Sequence, residues 1–154
     1  MKIIFFLSIL ISLSLSYYPE FAVEYAKKWC NSSNPDYNYY EGGWVGDSVN
    51  FVTQCLTYGG QSLVGCTYDN KGSIRDINNF RQCLEKHGWK YWRFIPPEFK
   101  AGYPVVYGYM VGIATYVNGT DIKVSTHVNG YCDNQCSGCD VPDITFGELI
   151  YYYL

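Results

Sequence analysis

Seven cysteines, Cys30, Cys55, Cys66, Cys83, Cys132, Cys136 and Cys139, all lie behind an apolar leader, and this layout constrains the chain more than any other feature. The leader has the form of a secretory signal. Lys2 supplies a short positive start, Ile3 to Leu15 is apolar apart from serines, and Ser14 and Ser16 are small residues suited to a signal-peptidase cut. The run is short for a membrane span, and the polar segment from Pro19 follows at once. Residues 1–16 are therefore expected to be removed, with 17–154 left as one domain. The alternative is a retained membrane anchor. A secreted chain ends in the extracellular space or a secretory-vesicle lumen, where cysteines pair as disulfides. Seven is odd, so one thiol stays free or joins another chain in a disulfide-linked dimer. The pairing cannot be read from spacing.

Cys132, Cys136 and Cys139 form C-x3-C-x2-C, a spacing able to hold an iron–sulfur cluster. Asparagines and glycines between them favour a stapled loop instead. Neither paired histidines nor a second cysteine knuckle accompanies them, so no metal site and no cofactor is expected. Removal of the leader leaves 138 residues, enough for one core. Ten basic residues then face fourteen acidic ones, a balance of about −4 without a basic patch, which argues against nucleic acid. No second apolar span or lipid-attachment tail points to a membrane. Asn31-Ser32-Ser33 and Asn118-Gly119-Thr120 are glycosylation acceptors, in keeping with a secreted glycoprotein.

Helices dominate the first half. Pro19 and Glu20 suit a first turn, Phe21, Tyr25 and Trp29 recur every fourth residue beside Ala22 and Ala26, and Lys27 and Lys28 favour the C-terminal end. Asp47 is placed to cap a second helix in which Phe51 and Val52 pair with Cys55 and Leu56, and Gly59-Gly60 ends it. Ser73-Ile74-Arg75-Asp76 resembles a capping box for a third, with Ile77, Phe80 and Leu84 inward and Gly88 as the stop. His87, beside that stop, reads as a helix-dipole partner. After Pro96-Pro97 come strands: Pro104 to Tyr109, Val111 to Val117, and Ile122 to Val128 across an Asn118-Gly119 turn. Ile144 to Leu154 supplies a last one. Helices followed by an antiparallel sheet is an α+β order.

The second helix carries a resemblance. Gly46-Asp47-Ser48-Val49-Asn50-Phe51-Val52-Thr53-Gln54-Cys55-Leu56, with Gly59-Gly60 after it, resembles the signature of the putative amidase domain family, relatives of the NlpC/P60 peptidases and of papain. Ala22-Val23-Glu24-Tyr25-Ala26 and Asn34-Pro35-Asp36-Tyr37 are similar to its opening. The rear half matches in pattern only. The resemblance implies a papain-like fold, N-terminal helices packed on an antiparallel sheet. It also implies a thiol at a helix N-terminus, where the helix dipole favours the thiolate, and a histidine base on a facing strand.

Two positions depart from that pattern. The nucleophile position is Ser48, and the base position before Val111-Gly112-Ile113 is Met110; His127 falls at the orienting residue. A serine alcohol is not ionised near neutral pH without a base, and a thioether is a poor proton acceptor. The expectation is a pseudoenzyme. A residual amide hydrolase using Ser48 with His127 is the alternative, and a small secreted cysteine-rich interaction protein is another. Seventeen tyrosines and four tryptophans are the remaining signal. Tyr37, Tyr39, Tyr40 and Trp44 precede Ser48, and Tyr103, Tyr107 and Tyr109 surround the strand leading to Met110. Both groups are expected to border one cleft, with Tyr40, Trp44, Asp47, Tyr107 and Tyr109 as the binding residues for a peptide, peptidoglycan-type or glycan ligand.

Overall fold

The computed structural model describes residues 16–40, 47–66, 71–127, 132–135 and 149–154. The apolar leader up to Leu15, Trp44, Cys136 and Cys139 lie outside them. Among the described residues, α1 (Pro19–Trp29), α2 (Ser48–Tyr58) and α3 (Ile77–Lys86) precede all of the strands. The strands are β1 (Lys90–Trp92), β2 (Pro104–Tyr107), β3 (Met110–Asn118), β4 (Asp121–Ser125), β5 (Asn134–Gln135) and β6 (Leu149–Tyr153). They form one antiparallel sheet in the order β1-β6-β2-β3-β4-β5. The α+β class and the helices-first order are therefore as the sequence implies. No helix among the described residues is long and apolar enough to cross a membrane.

Helix α2 is the hub. From Ser48 to Leu56 every residue is buried, because the helix lies between α1 on one side and β3 on the other. Val49, Phe51, Val52, Cys55 and Leu56 join Ala22 and Ala26 of α1 and Val105, Val111, Ile113 and Tyr151 of the sheet in one core. Small alanines on the inner face of α1 let the two helices approach closely. Phe21 departs from the expected face: it is 46 % exposed, and its ring leans on Tyr18. Gly60 lies at φ +86, and the Gln61 and Gly60 amides donate to the Leu56 and Thr57 carbonyls, closing α2 with satisfied ends.

Helix α3 opens at Asp76, whose carboxylate accepts from the Asn79 amide at 2.8 Å. The capping residue is thus Asp76 and not Ser73, which is buried before the helix begins. Phe80 and Leu84 point inward as expected. The hairpin register pairs Asn118 with Asp121, so the β3–β4 turn is Gly119-Thr120, one residue later than the sequence suggests.

The joint between α1 and the sheet rests on Gly102. It sits at φ +90, and a Cβ there would meet the Pro19 carbonyl oxygen at 2.3 Å. Its amide donates to the Ala114 carbonyl at 2.7 Å, and the Tyr17 hydroxyl donates to its carbonyl. Gly102→Ala is expected to cost at least about 2 kcal/mol, from left-handed strain plus the clash. A loss below about 0.5 kcal/mol in urea unfolding would contradict this close approach.

Burial raises the Tyr17 and Tyr25 hydroxyls above the usual tyrosine value and the Cys55 thiol well above the usual thiol value. The unfolded chain releases these protons near pH 8.5 to 10 while the native chain keeps them. The native state then binds more protons, so stability falls as pH rises through that window. The urea midpoint is expected to drop steadily from pH 8 to pH 10.5. A flat midpoint would be incompatible with these buried acids.

Candidate active site

Ser48 is the first residue of α2, at the helix end where backbone amides point outward. Its hydroxyl oxygen accepts from the Val111 amide of β3 at 3.4 Å, and the residue is fully buried. Met110, half-buried, immediately precedes that amide at the start of β3, opposite Tyr107 in the β2–β3 register. The other side of the strand is held too: the Thr126 hydroxyl donates to the Val111 carbonyl at 2.7 Å. The fold thus brings Ser48 and the Met110–Val111 peptide together across 63 residues of sequence.

Asp47 stands at the N-cap position of α2, yet its side chain does not cap the helix. Its carboxylate works outward. One oxygen accepts from the Tyr40 amide at 3.1 Å and from the Asn50 side-chain amide at 2.7 Å. The other lies 2.8 Å from His127 Nδ1, with both side chains at 5 % exposure or less. Asn50 also donates to the Asn38 carbonyl at 2.7 Å, tying the preceding loop to the helix.

His127 is held on every side. Its Nε2 lies 2.8 Å from the Trp29 carbonyl at the end of α1. Phe51 stacks on the ring with centroids 4.1 Å apart, and Tyr39 meets it edge-on at 6.0 Å. Both ring nitrogens are taken, one by the Asp47 carboxylate and the other by the Trp29 carbonyl. Neither nitrogen is turned to the Ser48 hydroxyl. Ser48 therefore meets the backbone just after Met110, while His127 serves Asp47 and α1.

The aromatic residues divide. Tyr39 lies on His127, and Tyr40 is near the site through its amide, its ring covered by the Arg75 guanidinium at 4.1 Å. Tyr109 is 75 % exposed at the turn beside Met110. Tyr107 is half-buried, its ring 3.3 Å from where a Cβ on Gly112 would sit. Tyr103 does not border this region. It is buried among Tyr17, Trp89 and Phe99, because the turn at Gly102 carries it under α1.

Among the described residues two disulfides are formed, Cys30–Cys132 and Cys66–Cys83. The first joins the residue after Trp29 to the chain beyond His127, so it brackets the Asp47–His127 contact. Cys55 is a free thiol, buried in the middle of α2. Both sequon asparagines, Asn31 and Asn118, are exposed.

Sequence reasoning missed the Trp29 carbonyl, Thr126 and the bracing role of Asn50. Asn50 did lie in the quoted signature, and its burial at a polar position was the available signal. Searches of curated proteins and of solved structures returned no match. A family model for the putative amidase domain matches residues 16–154, which takes in α1, Ser48, Met110 and His127 together. The chain belongs to the putative amidase domain family.

Proposed function

We propose that this chain is a catalytically silent member of its family, a papain-like pseudoenzyme that holds a peptide or peptidoglycan-type ligand without cutting it. The reading rests on one observation above all. The Ser48 hydroxyl has a backbone amide as its hydrogen-bonding neighbour, and both nitrogens of His127 are taken by other groups; by the family resemblance, Met110 takes the position of the base. An alcohol attacks a carbonyl only as its proton leaves, and a positioned base is worth about 10² to 10⁴ in rate. A thioether sulfur has no basicity near neutral pH to supply that help.

The exposed Tyr109 and the rings of Tyr39 and Tyr40 are the groups we assign to ligand contact, with Asp47 acting as a positioning residue through the loop at Tyr40. Secretion fits the apolar leader and the two disulfides. Incubation with muropeptides and small amides is expected to give no turnover, and Ser48→Ala is expected to leave ligand binding unchanged within about twofold. Turnover that disappears in Ser48→Ala would favour the second reading, a serine amidase in which His127 leaves Asp47 to act as base.

A further inference from the structure

A cluster of side chains that could hold a metal ion lies at the C-terminal end of α3. Cys83 faces inward one turn before the helix ends, His87 is the C-cap residue four positions later, and Cys66 arrives from the loop after α2. The two sulfurs and a ring nitrogen of His87 all lie within 4.8 Å of one another. Residues four apart on a helix share a face, so Cys83 and His87 present their ligand atoms to the same point. His87 Nε2 is buried and has no hydrogen-bond partner. A dipole partner at a helix end does not need a buried, unbonded nitrogen. A ligand does.

We propose that the reduced chain binds one thiophilic metal ion of the zinc type through Cys66, Cys83 and His87, and that the Cys66–Cys83 disulfide closes this site under oxidising conditions. Two thiolates and one imidazole is a common donor set for zinc, which prefers a tetrahedron with Zn–S near ~2.3 Å and Zn–N near ~2.0 Å. The Cα atoms of the cysteines are 5.6 Å apart, and rotation about the two Cα–Cβ bonds suffices to part the sulfurs around an ion. Water or a further side chain completes the tetrahedron.

The chemistry balances in two steps. Two equivalents of a small-molecule thiol reduce the disulfide, giving two protein thiols and one small-molecule disulfide. The two thiols then lose two protons as the divalent ion binds, so the thiolate–metal unit is neutral. The oxidised pair has no thiolate and is closed to the metal. Cys66 is the more exposed of the two sulfur-bearing residues, and Cys83 is buried, so exchange begins at Cys66.

The test uses the full chain, reduced anaerobically with a phosphine and titrated with Co2+, whose tetrahedral thiolate complexes absorb in the near ultraviolet and the red. One Co2+ per chain is expected at this site, displaced by Zn2+, and none in the oxidised protein. Other cysteines are reduced at the same time, so Cys132→Ser, Cys136→Ser and Cys139→Ser are combined in a background chain that should keep the signal. His87→Ala in that background is expected to leave the circular dichroism spectrum unchanged. It is expected to weaken Co2+ binding at least as much as loss of an outer-shell partner, about 10- to 100-fold. Adding Cys66→Ser with Cys83→Ser should abolish it. Absence of the bands in the background chain, or bands indifferent to His87→Ala, would overturn the assignment.

Discussion

Ser48→Cys combined with Met110→His is expected to raise amide hydrolysis by roughly 10² to 10⁴ over the unaltered chain, the scale of positioned acid–base help. The reason is local. The side chain at position 48 begins a helix, and position 110 precedes the very amide that meets it. A thiol there feels the helix N-terminus, and an adjacent imidazole would hold it as thiolate. Neither single change is sufficient, since a thiol without a base and a base beside an alcohol each lack half of the pair. A second readout separates chemistry from access. Because position 48 is fully buried, the readout is the ultraviolet absorbance of the thiolate, which should appear at lower pH in the double variant than in Ser48→Cys alone. Identical pH profiles with no hydrolysis would mean that positions 48 and 110 do not act on one another, and the family assignment of the base position would be lost.

Asp47→Ala is expected to destabilise the protein by about 3 to 5 kcal/mol, the usual cost of removing one partner from a buried, hydrogen-bonded carboxylate contact. The carboxylate has three neighbours at 3.1 Å or less: His127 Nδ1, the Tyr40 amide and the Asn50 side chain. Truncation leaves all three without this partner in a largely buried place. Asp47→Asn keeps a carbonyl oxygen for Tyr40 and Asn50, so it should cost less. Changing Asp47 and His127 together to leucine should cost less than the two single losses added, because no charge is left alone. Urea unfolding with an unchanged slope measures each value. A loss under about 1 kcal/mol for Asp47→Ala would show that the pair is solvated, and the bracing described between α1, α2 and the end of β4 would fall with it.

Legibility followed the length and period of each element. Helix α1 was readable from Tyr25 with Ala22 and Ala26 recurring at helical spacing, and α2 from its apolar pairs and its glycine stop. Phe21 misled because an aromatic at the right spacing near a helix end can lean on Tyr18 as well as on a core. Strands β1 and β5 went unread, since segments of three and two residues have no period to detect. Tyr103 was placed at the site by its neighbours in sequence, but after the turn at Gly102 it packs among Tyr17, Trp89 and Phe99 instead.

By itself the sequence determined the three helices and the longer strands, the α+β class, the number of thiols and, through the signature around Ser48, the family. Those properties are local or additive: periodicity, capping residues and residue counts depend on near neighbours along the chain. Only the tertiary structure decided the partners. His127 meets a carbonyl 98 residues away, and a carbonyl has no side-chain signature to read. Cys30 takes Cys132 across 102 residues, Cys66 takes Cys83, and His87 joins the latter pair. Strand β6 slips between β1 and β2 for the same reason. Contacts of this kind are set by how apolar faces stack in three dimensions, and no window of sequence holds both sides of such a contact.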